Sequence, residues 1–196
     1  MSSPNPTPAS GSFSSRRVRA ILIVSLVVIT FGLLLKGLLT SAPTASHAAP
    51  GSPAPIVGHY APDVTLRDLS NNPVSLSSLK GKVVVLNFWY AACEPCKYEM
   101  PALEHSYEAY QDQGFVVLGV DVVDDPATAD QFVHALGVTY PVVRDVDLRA
   151  ATLYQVTDTP STFFIDRDGV IRSRVVGALD TATLRTNLAA LHLSGK

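Results

Sequence analysis

Both cysteines of this chain lie in one short motif, Cys93-Glu94-Pro95-Cys96. The motif closely follows an apolar run at residues 83–88 that is typical of a buried strand, and the residues after it have helical spacing. A first cysteine at such a junction lies at the helix N-terminus, where unpaired backbone N–H groups and the helix dipole stabilise a thiolate. The motif therefore predicts a reactive thiol between a strand and a helix.

The two sulfurs are expected to carry out thiol–disulfide exchange. Cys93 is the predicted nucleophile, because it lies at the helix start and is expected to be the more exposed of the two. Cys96, one turn further into the helix, is the predicted resolving thiol. Half of a zinc site is the alternative, but a structural zinc needs four ligands, and the five histidines show no paired spacing to complete the set. We expect no metal and no cofactor.

Three neighbours of the cysteines carry further predictions. Pro95 stiffens the first helical turn at little cost in hydrogen bonding. Glu94 is favoured at a helix N-terminus, yet its charge opposes thiolate formation at Cys93; an ordinary first-turn acid has the same position. Glu99 lies three residues after Cys96 on the same helix face, so its carboxylate is placed to remove the proton from that thiol. A solvated helix residue is the alternative for Glu99.

The charge of the chain excludes one class of partner. The net charge is −2 at pH 7, and all seventeen acidic residues occur from Asp63 onward. Beyond residue 40 there are 11 basic and 17 acidic residues, a net charge of −6. Such a surface argues against nucleic acid as a partner.

The N-terminal region predicts a membrane anchor. Arg16, Arg17 and Arg19 precede residues 20–35, which are 16 uncharged residues, and the apolar character continues to about residue 40. A span of this kind, with arginines before it, predicts a single-pass anchor at residues 16–40 with the N-terminus in the cytoplasm. The catalytic domain would then lie outside the cytoplasm, at the cell membrane.

The remaining boundaries follow from composition. Residues 1–15 are rich in Ser, Pro and Asn and are predicted to be disordered, and residues 41–58 form a linker rich in Ala, Pro and Ser. Residues 59–196 are the expected globular domain. A cleaved signal peptide is the alternative to an anchor, because residues 46–48 fit a small-x-small cleavage site, and the arginine pair resembles part of a twin-arginine signal. Each interpretation exports the domain.

The globular part has alternating strand and helix patterns. Strands are predicted at residues 64–66, 74–76, 83–88, 115–120, 140–143, 161–165 and 170–176. Helices are predicted from Cys93 to about residue 113, after the cap Asp125, near residues 148–154 and after the cap Asp180. This order, a hairpin followed by βαβαβ and ββα, predicts an α/β sandwich with a mixed sheet.

The first helix carries detailed expectations of its own. Its apolar face is predicted to contain Met100, Leu103, Tyr107 and Tyr110. Glu104 and Glu108 are predicted to occupy the other face. Pro101 is expected to kink the helix.

Several motifs, in order, resemble a known family. These are Ala61-Pro62-Asp63, Leu79-Lys80-Gly81-Lys82, Leu86-Asn87-Phe88-Trp89, Cys93-Glu94-Pro95-Cys96-Lys97, Glu99 and Pro101. Together they resemble the ResA/TlpA-type membrane-anchored thiol–disulfide oxidoreductases of the thioredoxin superfamily, and the first two are also similar to the lead-in of peroxiredoxins. The resemblance covers about residues 59–190 and implies a three-layer thioredoxin-like fold with an N-terminal β-hairpin.

The resemblance also implies roles for individual residues. It implies a cis Thr159–Pro160 bond facing the cysteines, and Glu99 as the active-site acid. The residues expected beside a substrate are Trp89, Glu94, Pro95, Thr159 and Pro160. A strand-end tryptophan is also consistent with simple core packing.

The resemblance implies partners as well. Proteins of this type reduce extracytoplasmic protein disulfides, often those of apocytochrome c before haem attachment. Their electrons come from a membrane protein of the DsbD/CcdA type. We therefore expect protein disulfides as substrates, with a role in cytochrome c maturation.

The chain departs from the usual thioredoxin pattern at two positions. Asn87 stands where ordinary thioredoxins carry an acid, which agrees with the ResA-like branch and shifts proton transfer to another group. Ala92 stands where a tryptophan usually precedes the first cysteine, so the docking surface lacks a large aromatic.

A peroxiredoxin-like thiol peroxidase would carry a Thr-x-x-Cys pattern, but Tyr90 occupies the threonine position. A Sco-like copper chaperone would carry Cys-x-x-x-Cys, one residue longer than the spacing here.

Overall fold

The structure, a computed structural model, describes residues 50–193. The expectations for the disordered segment at residues 1–15, the anchor at residues 16–40 and the first half of the linker, residues 41–49 of 41–58, fall outside the described residues. Within residues 50–193, no helix is both long enough and apolar enough to cross a membrane.

Between residues 50 and 193, seven strands form one mixed sheet. They are β1 (Thr65–Asp68), β2 (Pro73–Ser75), β3 (Val83–Trp89), β4 (Phe115–Asp121), β5 (Val142–Arg144), β6 (Ser161–Ile165) and β7 (Ile171–Val176). Their order across the sheet is β2-β1-β5-β4-β3-β6-β7. β4 runs parallel to β3 and β5, while β6 is antiparallel to β3 and to β7, and the β1–β2 hairpin joins β5 antiparallel. The predicted mixed sheet with an N-terminal hairpin is confirmed.

In the part of the chain that the structure describes, four α-helices accompany the sheet. They are α1 (Glu94–Tyr110), α2 (Pro126–Ala135), α3 (Arg149–Leu153) and α4 (Thr181–Ala190). Both predicted aspartate caps are present: the Asp125 carboxylate accepts from the Ala127 and Thr128 N–H groups, and the Asp180 carboxylate accepts from the Thr183 N–H. α1 runs without a break through Pro101.

The central strands are covered on both faces. All seven residues of β3 and all seven of β4 are buried, in agreement with the continuous apolar runs typical of parallel strands. α1, α2 and α4 pack on one face, and α3 packs on the other together with the 3₁₀ turn at Leu76–Leu79. The carboxyl ends of β3 and β4 and the amino end of β6 meet at one edge of the sheet. This edge carries the cysteine motif.

One expectation for α1 is wrong. Glu108 is exposed as predicted, but Glu104 is buried. Its carboxylate accepts hydrogen bonds from the Thr139 N–H at 2.7 Å, the Tyr140 N–H at 3.3 Å and the Thr139 hydroxyl. The segment before β5 crosses α1 at this point, and its backbone donors need an acceptor. Helical spacing alone does not show where another segment crosses the helix.

We expect the Glu104→Ala variant to be less stable than the wild type by about 2 kcal/mol, because it leaves two backbone N–H groups without an acceptor. The measurement is urea unfolding of the disulfide form. Glu108→Ala is the matched control on the exposed side of the same helix, and its free energy of unfolding should change by less than about 0.5 kcal/mol. Equal losses in the two variants would show that the Glu104 contacts contribute no stability.

Candidate active site

The cysteines lie at the predicted junction of β3 and α1. Cys93 is the N-cap residue of α1, and its Sγ accepts a hydrogen bond from the Cys96 N–H at 3.2 Å. Pro95 lies in the first turn, where its missing N–H costs the helix no hydrogen bond. A sulfur in the capping position receives the N–H dipole and faces the positive end of the helix. This position favours the Cys93 thiolate in the reduced protein.

The two sulfurs are joined by a disulfide. Their Cα atoms are 5.3 Å apart, within the usual range for such bonds. Cys93 is 4 % exposed, whereas Cys96 is completely buried. The order of exposure is therefore the predicted one, although both side chains are largely buried. An outside reactant can reach a sulfur only through Cys93.

Glu99 is buried rather than solvated. It is only 2 % exposed, its Oε1 accepts from Asn87 Nδ2 at 2.7 Å, and its Oε2 accepts from the Leu179 N–H at 2.7 Å. Burial raises the pKa of the Glu99 carboxyl to about 7, although the hydrogen bonds from Leu179 and Asn87 oppose this rise. A carboxyl group with this pKa both accepts and releases a proton near neutral pH, which is the requirement for acid–base catalysis.

Asn87 holds Glu99 in place, a role that the sequence interpretation did not assign. Asn87 is fully buried on β3, and its Nδ2 also donates to Thr162 Oγ1 at 2.9 Å on the adjacent strand β6. The one feature of the sequence that could have indicated this role of Asn87 is its amide side chain inside the otherwise apolar run of β3. Nothing in the local pattern indicates which helix residue lies over that amide.

Thr159 and Pro160 lie at the same edge of the sheet as the cysteines. Their peptide bond is cis, as the resemblance implies. Ser161, the next residue, is paired with Phe88 near the carboxyl end of β3. Pro160 is buried and its carbonyl accepts from the Gly177 N–H at 2.8 Å, while Thr159 is half-buried. Thr159 is therefore the more accessible of the two to a docked chain.

Trp89, expected beside the substrate, lies in the core instead. Its side chain is completely buried, and its indole stacks on the Phe132 ring of α2 with centroids 5.3 Å apart. The last position of β3 directs this side chain onto the face that α1, α2 and α4 cover. The alternative of core packing is therefore correct for Trp89, and its indole is not available to a partner.

The accessible rim of the site has a different composition from the expected one. Glu94 and Pro95 are exposed, as a substrate-facing position requires, and so is Ala92. Ala92 offers only a methyl group to a docked chain, and the most exposed aromatic side chain of α1 is Tyr98, which is 77 % exposed in the second turn. The sequence interpretation did not select Tyr98.

Comparisons with known proteins agree with this geometry. A family model described as AhpC/TSA matches residues 57–174. The thiol-disulfide oxidoreductase ResA of Geobacillus kaustophilus is 34 % identical over 135 residues, covering 69 % of this chain and 78 % of that protein.

Solved structures show the same relationship. A secreted Mycobacterium tuberculosis disulfide oxidoreductase homologous to E. coli DsbE superposes with a TM-score of 0.60 and 27 % identity, over 65 % of this chain and 96 % of that one. A thioredoxin-family thiol:disulfide interchange protein from Chlorobium tepidum superposes with a TM-score of 0.62 and 25 % identity, over 72 % and 97 % of the two chains. These matches confirm the thioredoxin-like fold and the thiol–disulfide oxidoreductase class. The chain therefore belongs to the AhpC/TSA family, among the thiol–disulfide oxidoreductases that are similar to ResA.

Proposed function

We propose that this protein is an extracytoplasmic reductase of protein disulfides. The observation that carries the proposal is the buried Glu99 carboxyl, one helical turn beyond Cys96 and held by Asn87 and Leu179. Once Glu99 is ionised, as the pH passes its pKa of about 7, its charge disfavours the Cys93 thiolate by like-charge repulsion. A strong oxidant needs the opposite, because its potential depends on a stabilised thiolate in the reduced form. The surroundings of this pair therefore favour a reducing potential.

Other charges near Cys93 act in the same direction. Glu94 lies in the first turn of α1, and Asp124 accepts a hydrogen bond from the Ala91 N–H. Within residues 50–193, none of these acids forms an ion pair with a lysine or an arginine. The helix terminus stabilises a thiolate by up to about 2 kcal/mol in a largely buried position, and Cys93 is 4 % exposed. Uncompensated carboxylates offset part of that stabilisation.

The proposed reaction starts from the reduced protein. The Cys93 thiolate attacks one sulfur of the substrate disulfide, forming a mixed disulfide and releasing the other substrate sulfur as a thiolate. Glu99 accepts the proton of the Cys96 thiol, and Cys96 then attacks Cys93 Sγ. The second substrate sulfur leaves as a thiolate, and the two substrate thiolates take up two protons, one of which Glu99 can return. The substrate disulfide gains two electrons, and the Cys93–Cys96 pair loses two.

We infer the partners from the resemblance to the ResA/TlpA type. The proposed substrates are protein disulfides, with apocytochrome c as the specific candidate. The proposed electron donor is a membrane protein of the DsbD/CcdA type that reduces the Cys93–Cys96 disulfide after each turnover. The relatives named thiol-disulfide oxidoreductase ResA support this inference through their sequence similarity to this chain, 34 % identity over 135 residues in the Geobacillus kaustophilus protein.

The proposed location is the outer face of the cell membrane, with residues 16–40 as the anchor. The full-length protein should then sediment with membranes and resist high-salt extraction. A protease added from outside should reach the domain that carries Cys93. A mature N-terminus near Ala49 in a soluble fraction would instead establish a cleaved signal peptide.

We expect a reduction potential near the thioredoxin end of the known scale, at about −270 mV rather than about −120 mV. The measurement equilibrates the purified full-length protein in thiol–disulfide buffers and counts free thiols by the mass of an alkylating label. A value close to that of a strong oxidant would show that the protein forms disulfides rather than reducing them. The reductase proposal would then be wrong.

A further inference from the structure

The segment that leads into Cys93 is tied to the loop after β4. The Ala91 N–H donates to Asp124 Oδ2 at 2.6 Å, and the Val122 N–H donates to the Trp89 carbonyl at 3.1 Å. The Cys93 N–H in turn donates to the Tyr90 carbonyl at 3.1 Å. The position of Cys93 therefore depends on Asp124 through one turn of chain.

Asp124 is itself positioned by a second, buried carboxyl group. Asp121, the last residue of β4, is 1 % exposed, and its Oδ1 accepts from the Val123 N–H at 3.2 Å and from the Asp124 N–H at 3.1 Å. Asp121 Oδ2 has no hydrogen-bond partner among residues 50–193. Burial first, and then the charge and carboxyl of Asp124, raise the pKa of Asp121 to about 6, against the effect of the two backbone N–H groups.

We propose that Asp121 and Asp124 form an acid–carboxylate pair that positions the attacking thiol. A proton on Asp121 Oδ2 makes this oxygen a donor to the neighbouring Asp124 carboxylate, which keeps its other oxygen on the Ala91 N–H. When Asp121 loses its proton, two carboxylates face each other and repel. The hydrogen bond from the Ala91 N–H to Asp124 then weakens. The additional negative charge also disfavours the Cys93 thiolate. Asp121 and Asp124 are thus positioning residues, because neither needs to touch the substrate.

Other charged groups border the pair. On the same loop, Asp125 is exposed and caps α2. Arg144 is the register partner of Asp121 on β5, and the Asp145 carboxylate that follows it accepts from the Ala150 and Ala151 N–H groups. Beyond the Cys93 turn, Glu94 opens α1. Of these groups only Asp124 is hydrogen-bonded to the Cys93 segment, so we assign the coupling to Asp121 and Asp124.

The proposal rests on the assignment of Cys93 as the attacking thiol but not on the direction of electron flow. Its test is a pH titration of the Ala91 amide by NMR in the ¹⁵N-labelled full-length protein in detergent, in the disulfide form. We expect the amide signal to titrate with a midpoint near pH 6, and we expect Asp121→Asn to abolish this titration. The side-chain amide of that variant would donate permanently to Asp124 and has no proton to lose in this range. Asp124→Asn provides a second variant, which keeps an acceptor for Ala91 and should abolish the titration too.

Two controls separate this pair from its surroundings. Asp125→Asn removes a neighbouring charge, and Glu99→Gln removes the other buried carboxyl with a raised pKa; both should leave the Ala91 titration unchanged. In the reduced protein, the rate of Cys93 alkylation should show an inflection near pH 6 that is lost in Asp121→Asn. A flat Ala91 signal in the wild type, or a titration that survives Asp121→Asn, would overturn the proposal. A correct titration in a protein that fails to reduce disulfides would overturn only the proposed function.

Discussion

Cys96→Ser is expected to convert the protein into a trap for its substrates. Cys93 can still attack a disulfide, but nothing remains to resolve the mixed disulfide, so turnover should fall by at least about a thousandfold. A serine hydroxyl forms no disulfide, so it neither resolves the mixed disulfide nor traps a partner of its own. The measurement is non-reducing electrophoresis of cell extracts followed by identification of the proteins joined to the variant.

Cys93→Ser is the matched control. It should trap nothing, because the remaining Cys96 sulfur is completely buried, whereas the Cys93 sulfur reaches the surface. In the wild type, Cys93 should also be alkylated faster than Cys96. If Cys93→Ser accumulates mixed disulfides and Cys96→Ser does not, the roles of the two cysteines are reversed. Apocytochrome c among the trapped proteins would support the proposed substrate.

Glu99→Gln is expected to slow disulfide reduction by about 100-fold, because it removes the proton acceptor for Cys96. It should also lower the pKa of Cys93, because one nearby carboxylate is lost. The fold should tolerate the change. Asn87 Oδ1 has no hydrogen-bond partner within residues 50–193, so a rotated Asn87 amide can accept from the new glutamine. The measurements are single-turnover kinetics and the pH dependence of alkylation.

Glu94→Gln separates the effect of charge from the effect of proton transfer. Glu94 is exposed in the first turn of α1, so its replacement removes one acid near Cys93 without removing a buried proton acceptor. We expect a small decrease in the Cys93 pKa and a nearly unchanged rate of reduction. Equal kinetic losses in the two variants, or no change in Glu99→Gln, would contradict the role assigned to Glu99.

The raised pKa of Glu99 also makes stability depend on pH. The folded protein holds this proton up to about pH 7, whereas the unfolded chain releases it near pH 4.5. Between these values the folded state binds more protons, so the free energy of unfolding falls as the pH rises, by about 3 kcal/mol in total. Asp121 contributes with the same sign. We therefore expect the free energy of unfolding, measured in urea, to fall less between pH 5 and pH 8 in Glu99→Gln than in the wild type.

Local signals in the chain were sufficient for the elements that carry the site. The caps Asp125 and Asp180 accept hydrogen bonds from residues two or three positions further on. Both partners of each contact are therefore close together in the sequence, and the contact can be predicted from a short segment. The apolar run of β3 and the cysteine motif behave in the same way, because strand and helix periods extend over a few residues. These features could be predicted without knowledge of the tertiary structure.

The burial of Glu99 and Glu104 could not be predicted from the neighbouring residues in the sequence. Both belong to α1, and helical spacing puts Glu99 on the face of Cys96 and Glu104 on the face away from the apolar residues, but it does not show whether either carboxyl is buried. The structure buries both, because the Leu179 N–H, 80 positions further on, donates to Glu99, and the Thr139 N–H, 35 positions further on, donates to Glu104. Trp89 is the converse case. Its place at the end of β3 was clear from the pattern, but α2 and Phe132 decide that it is buried.

The sequence by itself therefore determined the redox pair and its position at the junction of a strand and a helix. It also determined that the positive end of the helix dipole faces Cys93. Only the tertiary structure decided which carboxyl groups lose contact with water, and hence which of them hold a proton near neutral pH. The physical reason is that a cap is a contact within one turn of chain, whereas burial depends on distant segments that cover the side chain.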